Sequence, residues 1–135
     1  MNKRGWILPI IIVAINALAI IIRWGSLTEI IPAHFDLQGN AASSMSRNVL
    51  LLYPLAGAAT CLFAYIVARI KNKLQTGMIV LASGFCLVLL SSTLVSLTAG
   101  TVPFFMLDEP VILLFSVSGF ILSLLRDNKV KNHTN

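Results

Sequence analysis

The chain has 135 residues, of which 57% are hydrophobic and 11% charged, with a mean hydropathy of +0.88 and a formal net charge of +5. That composition excludes a soluble domain, and the length leaves room for about four spanning helices of roughly 20 residues each and little for a separate soluble module. The basic residues are scattered at the ends of apolar runs, without the clustered basic and aromatic surface that nucleic acid requires. Nucleic acid is excluded as a partner, and the lipid bilayer is the first one implied.

The first apolar run, Trp6 to Ile22, follows Lys3 and Arg4 and ends at Arg23 and Trp24, which suit the membrane interface; it predicts a spanning helix over about 6–23. A cleaved signal peptide is the competing reading, with Ala17-Leu18-Ala19 as the cleavage site. The apolar run passes through that site to Ile22, which favours a retained span. Pro9 lies near the helix start, where it is tolerated, and Asn16 lies at mid-depth, either bonded to a neighbouring helix or lining a polar path. Helices over about 49–69 and 77–99 follow, separated by the basic turn Arg69-Ile70-Lys71-Asn72-Lys73. The fourth apolar run, Pro110 to Leu125, is short for a span. Asp108 and Glu109 before Pro110 have the chemistry of a helix start, giving a helix over about 108–126, with a start near 102–107 as the alternative.

Lys3, Arg4, Arg69, Lys71, Lys73, Arg126, Lys129 and Lys131 fall on one side of this arrangement, and only Arg23 and Arg47 on the other. The positive-inside rule makes the first side cytoplasmic, with both termini there. The expected fold is an all-α polytopic membrane protein: one four-helix transmembrane domain over 1–126, an extracytoplasmic loop over 24–48 between helices 1 and 2, and a cytoplasmic tail over 127–135. Small residues recur four apart at Thr60, Ala64 and Ala68, at Ser92, Ser96 and Gly100, and at Gly119 and Ser123. Such spacing permits close helix contact within the chain or between copies, so an oligomer is possible. The Ser and Thr residues of the third helix read as packing contacts or as a transport path. Cys61 and Cys86 fall at similar depth on successive helices, as neighbours that need not be bonded.

The outer loop concentrates the polar chemistry. Ile30, Ile31, Phe35 and Leu37 are apolar enough to dock on the bundle or to lie in the headgroup layer, Pro32 holds Ile31 extended, and Gly39 supplies a turn. His34 and Asp36, two apart, are weak candidates for a metal site with Glu29, Asp108 and Glu109 on the same side. They offer no His pair or thiolate pair, so no metal and no cofactor are expected. No carboxylate lies inside a span, and no nucleophile, base and orienting group converge, so the chain is not expected to be an enzyme.

The loop resembles a known family, the bacterial membrane proteins of domain of unknown function family 1648, which includes the SdpI-type immunity proteins. Their pattern after the first helix, L-P-x-x-I-P-x-H-[FW]-[DN]-x-x-G-x-x-D-x-[WY]-x-S-K, is met without a gap by Leu27, Ile31, Pro32, His34, Phe35, Asp36, Gly39 and Ser46, and Pro54 matches the next landmark. Thr28 replaces the first proline, Ala42 the aspartate and Ser44 the aromatic residue, and Arg47 replaces the lysine with its charge kept. The resemblance implies a multi-pass protein of the bacterial plasma membrane that recognises a secreted peptide toxin or other partner through this loop, in immunity or signalling. It also implies a cytoplasmic regulator held at Arg69, Lys71 and Lys73. SdpI-type proteins are longer, so the chain resembles their amino-terminal module.

Overall fold

A computed structural model describes residues 3–35, 40–71, 74–98 and 104–132, with side chains over 4–33, 40–71, 74–98 and 111–125. Four long helices dominate: α1 (Ile7–Arg23), α2 (Leu52–Ile70), α3 (Gln75–Leu97) and α4 (Phe104–Asn132). Short 3-10 turns precede α1 (Lys3–Trp6), follow it (Trp24–Ser26) and lead into α2 (Arg47–Leu51). Three of the helical segments, Arg4–Ser26, Arg47–Ile70 and Gln75–Leu97, are long and apolar enough to cross a membrane, while the apolar stretch Val111–Leu125 is shorter. Large apolar side chains such as Ile22 and Phe115, 71% and 75% exposed, cover the outside. A surface of that kind is stable against lipid, not water.

The buried stripe of α1, Pro9, Ile12, Asn16 and Ile20, follows the helical repeat and faces α2 and α3. Three apolar layers stack along it. Trp6 meets Ala64, Ala68, Met78 and Ala82 at one end, with its ring edge-to-face on Tyr65 at 5.4 Å and 78°. Ile12 meets Cys61 and Cys86 in the middle, and Ile20 meets Leu50 and Leu97 at the far end. These pairings make α2 antiparallel to its two neighbours and α1 parallel to α3.

The fourth helix departs from the expected bundle. Among the described residues α4 packs along α3, with no comparable contact to α1 or α2. It extends beyond the predicted 108–126 at both ends, so Pro110 lies inside the helix instead of at its first position, and the predicted tail is helical to Asn132. The apolar sequence Phe104-Phe105-Met106-Leu107 extends the helix upstream of the proline, which costs one backbone bond without ending it.

The expected all-α fold also needs correction in the loop between α1 and α2. It contains an antiparallel hairpin of β1 (Ile30–Phe35) and β2 (Ala41–Ser46). The register pairs Ile30 with Ser46, Ile31 with Met45, Pro32 with Ser44, His34 with Ser43, and Phe35 with Ala41, with irregularities on either side of His34.

Candidate functional site: the docked hairpin

Ile31 anchors the hairpin. Its side chain is 3% exposed and completes the far-end layer with Ile20, Leu50 and Leu97, so one strand residue joins the ends of three helices. Leu27, Trp24, Met45 and Tyr53 pack around this cluster, and the Tyr53 hydroxyl lies 3.9 Å from the Met45 sulfur. Ile30 points the other way, 68% exposed, as the alternation of a strand requires.

Arg47 closes the base. Its backbone amide donates to the Glu29 carbonyl at 2.9 Å, its Nη1 donates to the Leu27 carbonyl at 3.1 Å, and its guanidinium carbon lies 5.1 Å from the centre of the Trp24 ring. One side chain thus ties the segment leaving α1 to the segment entering α2 by a charged hydrogen bond and a cation–π contact. Ser46 caps the following turn, its hydroxyl accepting from the Asn48 amide at 3.4 Å, and the Thr28 hydroxyl donates to the Ile30 carbonyl at 2.5 Å.

Of the loop residues singled out in the sequence, Leu27, Ile31, Pro32, Ser46 and Arg47 therefore come together at the hairpin base. His34 and Phe35 are placed by backbone pairing alone, and Asp36 and Gly39 lie outside the described residues. The His34–Asp36 metal candidate falls there too; among the described residues no group of three His, Cys, Asp or Glu side chains is placed to hold a metal. Arg69 and Lys71 are exposed at the opposite end of α2, and Lys73 lies outside the described residues. Trp24 and Thr28 have roles that the sequence did not suggest. Trp24 was expected only as an interfacial anchor, and Thr28 stands where the family pattern has proline.

Among the described residues, several helix hydroxyls bond within their own helix. Thr60, Thr93, Ser116 and Ser123 donate to carbonyls of their own helices, at 2.8, 2.9, 2.7 and 2.8 Å. The Asn16 Oδ1, Ser83 Oγ and Ser96 Oγ atoms are buried without a partner, so the Asn16 oxygen does not make the helix-to-helix bond expected of it. Two clefts flank α4. One, of about 390 Å³, includes Leu8, Ile79, Ser83 and Phe115; the other, of about 290 Å³, includes Phe63, Met78 and Leu113. Asn16 and Ser96 line neither.

Small residues are used within the chain. Ala64 and Ala68 are buried in its own core, and a Cβ at Gly119 would stand 2.9 Å from Val80. Cys61 and Cys86 meet as expected, as free thiols with sulfurs 3.6 Å apart.

Residues 6–58, spanning α1, the hairpin and the start of α2, match the family model described as "Domain of unknown function (DUF1648)". No curated protein and no solved structure matches the chain.

Proposed function

We propose that this chain, which carries a DUF1648 domain over residues 6–58, is a small membrane protein that binds a peptide at its hairpin, without chemistry, in SdpI-like immunity or signalling. In this reading the hairpin faces the exterior of a bacterial plasma membrane and both termini are cytoplasmic. The observation that supports it best is the placement of Ile31. A strand seated among Ile20, Leu50 and Leu97 holds the hairpin in one orientation, so its exposed outer surface is preorganised for a partner.

The same seat suggests how binding is passed on. A peptide that shifts Ile31 disturbs the ends of α1, α2 and α3 together, and α2 runs from that cluster to Arg69 and Lys71, where a cytoplasmic regulator would be held. The Thr93 and Ser116 hydroxyls, each bonded within its own helix, and clefts that Asn16 and Ser96 do not line favour recognition over transport.

The test is survival of cells with and without the gene when challenged with secreted antibacterial peptides. Protection that is lost on substituting Ile31 or Arg47 supports the reading. Equal survival with and without the gene removes the immunity role.

A further inference from the structure

The hairpin has two outer edges, and the ladder geometry determines what each presents. The Arg47 amide bonds the Glu29 carbonyl, so Glu29 and Arg47 form a hydrogen-bonded pair. Hydrogen-bonded and non-hydrogen-bonded pairs alternate along an antiparallel ladder. Ile31 and Met45 are therefore hydrogen-bonded to each other, whereas the Ile30–Ser46 and Pro32–Ser44 pairs direct their backbone groups away from the hairpin.

The β1 edge is blunted. Pro32 has no N–H to offer there, and the outward carbonyl of Ile30 already accepts from the Thr28 hydroxyl. Among the described residues the β2 edge lacks these devices. Ser44 directs both an amide and a carbonyl outward and Ser46 an amide, its carbonyl starting the 3-10 turn that follows, and the strand Ala41–Ser46 contains no proline and no charged residue. Its side chains are small and exposed apart from half-buried Met45. Natural sheets protect an open edge with Lys, Pro or a cover, so an edge left bare beside a protected one is a template for strand addition.

We propose that the β2 edge, through the backbone groups of Ser44 and Ser46, takes up an extended peptide as a third strand. This rests on the reading of the hairpin as the recognition element and specifies the partner. Side chains of the added strand that face the bundle lie beside Met45 and Tyr53, and those facing outward lie beside Ser44 and Ser46. The partner that fits alternates apolar and small polar residues in extended conformation.

The full chain in phosphatidylcholine nanodiscs is titrated with a short labelled peptide of alternating Val and Thr, and with the same peptide N-methylated along its backbone. Binding to the wild type and equally to Ser44→Ala, weakened about tenfold or more by Ser44→Pro and abolished by N-methylation, is the expected result. Proline at 44 removes only an outward N–H, so protected Met45 and Arg47 amides confirm that the variant keeps its hairpin.

Equal binding of both peptides, or by Ser44→Pro and wild type, overturns strand addition while leaving hairpin recognition standing. No binding to the wild type overturns the edge proposal, and cell survival remains the separate test of immunity. Disulfide-linked dimers of Ser44→Cys in membranes would give the edge to a second copy and also overturn the proposal.

Discussion

The hairpin base and the α3–α4 seam each attach a peripheral element to the three-helix core, by opposite means. At the hairpin, one long side chain, Ile31, enters a pocket made by three helix ends, and Arg47 adds a directional tie across the base. Along the seam, attachment depends on missing side chains: a Cβ at Gly84 would overlap Ser116, and one at Gly77 would crowd Phe120 and Ser123 at 2.5 and 2.6 Å. Close backbone approach gives broad van der Waals contact without a directional feature. The first mode fixes a register and leaves an outer surface exposed, whereas the second only packs, and the proposed recognition at the hairpin rests on that difference.

Ile31→Ala separates the two regions most strongly. Emptying the shared layer should cost about 2–4 kcal/mol and release the hairpin, read as rapid proteolysis over 24–48 while Cys61–Cys86 proximity persists. Gly84→Val should have the converse effect. Overpacking at Ser116 should cost about 1–3 kcal/mol and separate α4 from α3, measured by spin-label distances, with the hairpin intact. Arg47→Ala should be smaller, about 1 kcal/mol, because it removes an interfacial tie and leaves Ile31 seated. Its effect should appear as faster amide exchange at the hairpin base, with no change in the α3–α4 distance.

The spanning segments were legible because apolar runs bounded by basic residues have few alternatives in lipid. The neighbouring thiols followed from helix rise alone. The hairpin was not legible as strands: Ala41-Ala42-Ser43-Ser44-Met45-Ser46 has low strand propensity and no apolar alternation. Its pairing follows from tertiary placement, with Ile31 seated and the Arg47 amide setting the register. Gly77 and Gly84 lie seven apart, outside the four-residue spacing that marks the other small residues, so the sequence pattern does not single them out. The fourth helix begins at Phe104, within the alternative start near 102–107, because four apolar residues precede Pro110 and carry the helix through it.

Amide hydrogen exchange, residue by residue over 29–47 in lipid nanodiscs, tests the docked hairpin most directly. Slow exchange at Ile31, Met45 and Arg47 alternating with fast exchange at Ile30, Ser44 and Ser46 is the predicted result. Uniformly fast exchange across the segment, or protection at Ser44 and Ser46 in place of Met45 and Arg47, would contradict it.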